Sequence, residues 1–79
     1  MAKQVKAIYN KTRGKYWRDL SIFDHMRWVP SIKTALKFNL PKENDYMTIQ
    51  LGFVKDEYPN EELEIHSYEV IPKQYKKVG

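Results

Sequence analysis

A polar turn between two strand-like segments at the start of the chain constrains the fold most. The segment KQVKAIY alternates Val5, Ala7 and Tyr9 with its other positions, as a half-buried strand does. The turn NKTRG follows, and its Gly14 can adopt the positive φ that hairpin loops often require. The next segment, KYWRDL, has an aromatic pair of the kind that favours a returning strand. The sequence therefore predicts a β-hairpin over residues 3–20.

Two later segments also show the alternation typical of strands. In YMTIQLGFVK, apolar side chains alternate with polar or small ones at Met47, Ile49, Leu51 and Phe53. The segment LEIHSYEVI is a second predicted strand, which Pro72 ends. Between them, DEYPNEE has the composition of a loop, with its turn signal at Pro59-Asn60. A strand on each side of this loop is the simplest interpretation.

Two segments in the middle of the chain are ambiguous. In SIFDHMRWVP, Ser21 resembles a helix cap, Asp24 suits a first turn and Pro30 would end the helix, so we favour a short helical turn over an irregular strand. The segment SIKTALKFNLP fits both the helical and the strand period. We favour a strand there because the turn-forming run PKEND would then connect it to the next predicted strand, but a helix at residues 31–39 remains an alternative.

These elements predict a mostly β chain that forms a single small domain over residues 1–79. The expected architecture is a small antiparallel sheet of about five strands, curled into a barrel or sandwich, with a short helical turn near residues 21–29. The alternative is an α+β fold, with two hairpins and one helix at residues 31–39. The tail, residues 73–79, is expected to be mobile.

The composition argues against a metal site or a cofactor. The chain has no cysteine and two histidines, which excludes disulfides and thiolate zinc sites. Its three glycines are too few and too scattered for a phosphate-binding loop. Ser21, Asp24 and His25 are neighbours in sequence, but a catalytic triad needs convergence in space, and a helix cap is the simpler role for Ser21. The sequence therefore predicts a protein that is not an enzyme.

The charge distribution suggests an anionic partner. Residues 1–42 hold ten basic and two acidic side chains, whereas residues 43–72 hold eight acidic and one basic. Basic side chains neutralise phosphates and aromatic rings stack on unpaired bases, and the first hairpin offers both. If only one of the rings of Tyr16 and Trp17 points into the core, Tyr16 is available for contact. We therefore predict nucleic-acid binding, with DNA and RNA both open, through Lys11, Arg13, Lys15, Tyr16, Arg18, Lys33 and Lys37.

A protein-interaction module is the alternative function. Met26, Arg27 and Trp28 are contiguous and belong to types that are enriched at the centres of interfaces. The acidic segment from Asp56 to Glu64 would steer a basic partner, or would meet the basic half of another copy in a homo-oligomer. In this alternative the protein would be a small viral or mobile-element inhibitor or assembly subunit.

The sequence has no apolar run of the roughly 20 residues needed to span a bilayer, and its first residues, MAKQVKAIYNK, contain no apolar signal segment. We therefore expect a cytoplasmic protein without a membrane partner, which would act in the host cytoplasm if it is viral.

Overall fold

The computed structural model describes residues 3–72 and 74–78, which are built around one antiparallel sheet. Within these residues the strands are β1 (Lys3–Asn10), β2 (Lys15–Trp17), β3 (Trp28–Val29), β4 (Phe38–Asn39), β5 (Leu63–Ile71) and β6 (Gln74–Val78), and the helix is α1 (Asn44–Glu57).

The sheet is organised around β1. Its strand order is β3-β2-β1-β5-β6, and β4 pairs with β1 beside this path. β1 pairs with β5 along its whole length, from the Lys3–Val70 pair to the Asn10–Leu63 pair. On the other edge of β1, β2 occupies the C-terminal end and β4 the N-terminal half. The prediction of a mostly β antiparallel fold is confirmed, but the sheet remains open and does not close into a barrel.

The first hairpin forms as predicted. β1 and β2 pair in register at Tyr9–Tyr16 and Asn10–Lys15. In the turn between them, Gly14 has φ of 67° and its N–H donates to the carbonyl of Asn10 at 2.8 Å. Only glycine adopts this left-handed conformation without strain, which explains why the turn contains one.

The segment predicted as a strand around residues 46–55 forms helix α1 instead. Met47 and Val54 are 9 % and 0 % exposed, and Leu51 packs beside them, whereas Ile49 is 68 % exposed. The buried side chains therefore follow the three-to-four-residue spacing of a helix, not the alternation that the strand prediction used. α1 covers one face of the sheet, as the helix in the α+β alternative would, but it lies outside residues 31–39.

The two ambiguous segments form short elements. A single 3₁₀ turn at Asp24–Met26 matches the helical turn predicted near residues 21–29. Of the strand predicted for residues 31–39, only the last two residues form, as β4 (Phe38–Asn39), and the alternative helix does not form. Residues 31–37, here called the turn segment, contain a turn at residues 32–34 and no strand or helix. The N–H of Leu36 donates to the carbonyl of Trp17 at 3.0 Å, so the segment is attached to the sheet without forming a full strand.

Each face of the sheet has its own apolar core. On the α1 face, buried side chains of the sheet and the helix pack together: Ile8, Trp17, Trp28, Phe38, Met47, Val54 and Tyr58. On the second face, Ala35 from the turn segment packs over four residues of the sheet: Val5, Ala7, Tyr16 and Tyr68. In a small domain, this use of both faces increases the apolar area that is removed from water.

The chain's last described segment is strand β6, which pairs with β5 from Ile71–Gln74 to Ser67–Val78. It forms most of the tail that we expected to be mobile, and positions 73 and 79 of that tail lie outside the described residues. Among the residues that are described, no helix combines the length and the apolar character that crossing a membrane requires.

Candidate functional site

Arg13, a central residue of the predicted nucleic-acid surface, binds acidic side chains of the protein itself. Its guanidinium donates to Glu61, and to Asp24 at 2.7 Å. The same group lies 4.9 Å from the ring centroid of Tyr58 and 5.6 Å from that of Trp28. Arg13 therefore joins the first turn to three other parts of the chain.

Two further predicted cations also lie near acids. Lys11 Nζ is 3.9 Å from a carboxylate oxygen of Glu62, and Arg18 Nε is 4.0 Å from one of Asp19. These pairs are exposed and each contributes less than about 1 kcal/mol, but they reduce the local positive potential. The positive charge that the sequence concentrates in the first hairpin is thus partly neutralised.

Tyr16 is not available at the surface. The expectation that only one of two adjacent rings is buried is wrong, because Tyr16 and Trp17 are 9 % and 0 % exposed. The sheet accommodates both, with Tyr16 in the core of the second face and Trp17 in the core of the α1 face. The hydroxyl of Tyr16 contacts that of Tyr68 and lies 3.4 Å from Nδ1 of His66.

The remaining predicted cations are Lys15, Lys33 and Lys37. Lys15 and Lys33 are exposed. Lys37 Nζ donates at 3.0 Å to each of three backbone carbonyls, of Ile32, Lys33 and Ala35, and lies over the Tyr75 ring on the second face. Lys37 thus holds the turn segment together, well away from the contacts that Arg13 makes near the end of α1.

His66 belongs to an aromatic cluster that the sequence analysis did not find. Its ring stacks on Tyr9 with centroids 4.3 Å apart, and Nε2 lies 2.8 Å from a carboxylate oxygen of Glu64. The hydrogen bond to His66 lowers the pKa of Glu64. Burial, and next the hydrogen bond to Tyr16, raises the pKa of Tyr68. The cluster occupies part of the second face, and no sequence motif marks it because its members come from three strands.

The loop between β2 and β3 has the most unusual surface of the described residues. We call residues 18–27 the apolar loop, because four of its large apolar side chains are between 44 % and 88 % exposed: Leu20, Ile22, Phe23 and Met26. A group of exposed large apolar side chains in one short loop is uncommon on a monomeric protein and is typical of an interaction surface.

Polar contacts hold the apolar loop in place from beneath. At its base the N–H of Arg18 donates to the carbonyl of Arg27 at 2.8 Å, next to the pair formed by Trp17 and Trp28. Arg27 Nε donates to the carbonyl of Ser21 at 2.6 Å. Arg27 is the mostly covered charged side chain of the loop, at 17 % exposed. Arg18, Asp19 and Asp24 are 49 %, 60 % and 55 % exposed, so the loop presents apolar and charged side chains together.

Asp24 fixes the loop to the body of the domain. One carboxylate oxygen accepts from Arg13 and the other from the hydroxyl of Tyr58. These hydrogen bonds, first that of Tyr58 and then that of Arg13, lower the pKa of Asp24. The Arg13 hydrogen bond likewise lowers the pKa of Glu61. Both carboxylates are therefore charged at neutral pH and retain Arg13 between them.

The three contiguous residues predicted as a protein interface differ in burial and do not share one surface. Met26 is 44 % exposed and belongs to the outer surface of the apolar loop. Arg27 contacts Glu57 and the hydroxyl of Tyr58, each through Nη1, and so connects the loop to the end of α1. Trp28 is 3 % exposed and belongs to the core.

Among the described residues, no three side chains of the metal-binding types His, Cys, Asp or Glu come close enough together to hold an ion. No protein-family model, curated protein or solved structure matches this chain.

Proposed function

We propose that the chain is a non-catalytic protein-binding module that docks through its apolar loop. The supporting observation is the group of large apolar side chains left exposed in residues 18–27, in which Ile22 is 88 % and Phe23 is 54 % exposed. Hydrogen bonds of Asp24 and Arg27 hold this loop to the domain. Exposing these side chains costs stability in a domain whose margin is small, and a partner that covers them would recover that free energy.

The fixed geometry of the loop suits docking without rearrangement. Its backbone is closed at the base, and its middle is held by the N–H of Met26 donating to the carbonyl of Phe23 at 3.0 Å. A surface that is already ordered loses less conformational entropy on binding than a flexible one. The apolar side chains are therefore presented as a preformed protrusion, complementary to an apolar cleft.

Charge supports a protein as the partner. The apolar loop carries two basic and two acidic side chains, at Arg18, Arg27, Asp19 and Asp24. A balanced loop gains little from the negative field of nucleic acid or of an anionic membrane. An apolar cleft on a protein can bind the loop without any excess of positive charge on it. We propose a cytoplasmic site of action on this basis and on the absence of cysteine from the sequence.

The proposal is tested with a matched pair of variants in an affinity capture from the source cell. The double variant Ile22→Ser, Phe23→Ser removes the outer face of the loop. The control Ile49→Ser removes an apolar side chain that is 68 % exposed on α1, outside the loop. We expect the wild type and the control to retain the same protein, and the double variant to retain at least about tenfold less, as for the loss of an interface hot spot.

The captured partner is then purified, and its affinity for the chain is measured at two salt concentrations. An interface formed by apolar side chains predicts an affinity that salt changes little. Equal retention by the double variant, or capture of no protein by the wild type, would refute the proposal.

Nucleic-acid binding through the first hairpin remains a separate prediction. It requires cations that are free to replace counterions, and Lys15 and Lys33 are the exposed candidates without an acid within 4 Å among the described residues. Titration with single-stranded and duplex nucleic acid at two salt concentrations tests it. Salt-sensitive affinity that is lost in Lys15→Met and Lys33→Met, but kept in the double variant of the loop, would favour it over the protein-binding proposal.

A further inference from the structure

A cleft of about 330 Å³ opens on the second face of the sheet, beside the turn segment and away from the apolar loop. Its apolar walls come from five residues, Val5, Ala35, Leu36, Val70 and Tyr75. This volume is at the lower end of the range that small-molecule sites occupy in proteins. The cleft is thus large enough for a small ligand with an apolar body.

The charged groups that line the cleft are all cationic. Lys3 and Lys37 border it, and no Asp or Glu side chain of the described residues does so. Glu43 offsets part of the charge of Lys3, but it does not line the cleft, and its Oε1 accepts hydrogen bonds from the N–H and the amide of Asn39, at 2.7 and 2.9 Å. The electrostatic complement of the cleft is therefore an anion.

Lys37 is held in place where such an anion would meet it. Its three hydrogen bonds to backbone carbonyls and its position 5.1 Å from the Tyr75 ring centroid fix the ammonium beside the apolar wall. Burial lowers the pKa of Lys37, so the charged form is incompletely solvated. A bound anion would supply the counter-charge that this position lacks.

We propose that the cleft binds a small carboxylate carried on an aromatic or aliphatic body, with the body against Val5, Val70 and Tyr75 and the carboxylate between Lys3 and Lys37. The apolar walls provide affinity for the body, and Lys3 can donate to the acid. Lys37 attracts the acid by its charge, since its three N–H groups already donate to carbonyls. This site is independent of the apolar loop, so either proposal can fail without the other.

The test is an NMR titration of the full chain with 4-phenylbutyrate, compared with the neutral 4-phenylbutan-1-ol. We expect the carboxylate to shift the amide signals of Val5, Val70 and Tyr75. The alcohol, which has the same body, should bind at least about fivefold more weakly because it gains nothing from the cations.

Two variants locate the carboxylate. Lys3→Glu reverses an exposed charge on the rim and should weaken 4-phenylbutyrate binding by about tenfold while leaving the alcohol unaffected. Lys33→Met is the matched control, since this exposed lysine belongs to the same turn segment as Lys37 but does not line the cleft. Equal binding of acid and alcohol, shifts confined to other residues, or an equal loss in both variants would overturn the proposal.

Discussion

Two connections in the first third of the chain contrast sharply. The β1–β2 turn, residues 11–14, carries the cations that first suggested a binding surface, yet Arg13 is bonded to Glu61 and Asp24. The apolar loop, residues 18–27, has balanced charge and no obvious motif, yet it leaves Ile22 and Phe23 exposed. The charged β1–β2 turn thus stabilises the fold, whereas the apolar loop exposes its side chains to solvent.

This contrast shows why residue type alone does not locate a functional surface. A basic side chain is available to a partner only if the fold supplies no acid for it, and an apolar one only if the fold does not cover it. Here both conditions are set by residues far away in sequence, since Arg13 meets Glu61 and Asp24 meets Tyr58.

A comparison of two phenylalanines tests whether the side chains of the apolar loop contribute to the hydrophobic core. Phe38 is fully buried on the α1 face, so Phe38→Ala should cost about 3–5 kcal/mol of the free energy of unfolding. Phe23 is 54 % exposed, so Phe23→Ala should cost less than about 1 kcal/mol. Urea denaturation of both variants measures the difference. Similar costs would mean that the loop belongs to the core and is not a free surface.

The structural role of the charged turn is tested by Arg13→Met. This change removes the hydrogen bonds to Glu61 and Asp24 and should cost about 2 kcal/mol in the free energy of unfolding. Lys15→Met is the control, because this exposed lysine in the same hairpin should change stability by no more than about 0.5 kcal/mol. If Lys15→Met is the more damaging change, Arg13 does not connect the turn to the loop as described.

The pH dependence of stability provides a third test. The folded-state pKa values of Asp24 and Glu61 lie below their ordinary values of 3.8 and 4.5. Their contribution is therefore fully present above those values and is lost as pH falls through the lower folded pKa. Thermal unfolding between neutral pH and pH 3 should show a steeper loss below about 4.5 for the wild type than for Arg13→Met. Parallel curves would show that Arg13 is not the group that lowers these pKa values.

The two tryptophans at the base of the apolar loop give the smallest expected difference. Trp17 Nε1 donates to Gln50 at 3.2 Å, whereas Trp28 Nε1 is buried without an acceptor among the described residues. Replacement of either ring by phenylalanine leaves a similar gap, but only Trp17→Phe also loses a hydrogen bond. We expect Trp17→Phe to be the more destabilising by about 1 kcal/mol in chemical denaturation. The reverse order would indicate that Trp28 has an acceptor.

Local patterns predicted the strands well where they agreed with the final packing. The first hairpin could be predicted because alternation, a turn glycine and an aromatic pair all favoured it, and β5 because its strand-forming residues run uninterrupted to Pro72. The alternation of Met47, Ile49 and Leu51 predicts a strand where α1 forms. Met47, Leu51 and Val54 in the same segment have the spacing of a helix, so the alternation favoured the wrong element. The sheet buries Met47 and exposes Ile49, and that outcome depends on tertiary contacts.

The candidate surface was only partly predictable. The sequence indicates that Met26 belongs to an interface type and that residues 21–29 form a short helical turn, and both descriptions fit the apolar loop. It does not indicate which side of that turn faces outward, because Arg13 and Tyr58 determine this by holding Asp24. The cleft could not be predicted from the sequence either, since Lys3, Lys37 and Tyr75 come from distant parts of the chain.

The full-length pairing of β1 with β5 has a consequence for synthesis on the ribosome. The two strands that form the centre of the sheet are separated by more than fifty residues, so a nascent chain cannot assemble this centre until β5 has left the exit tunnel. Until then, β1 lacks the strand with which it pairs along its whole length. The centre of the sheet thus forms only after β5 has been synthesised, and fragments that stop before β5 will not hold the sheet together.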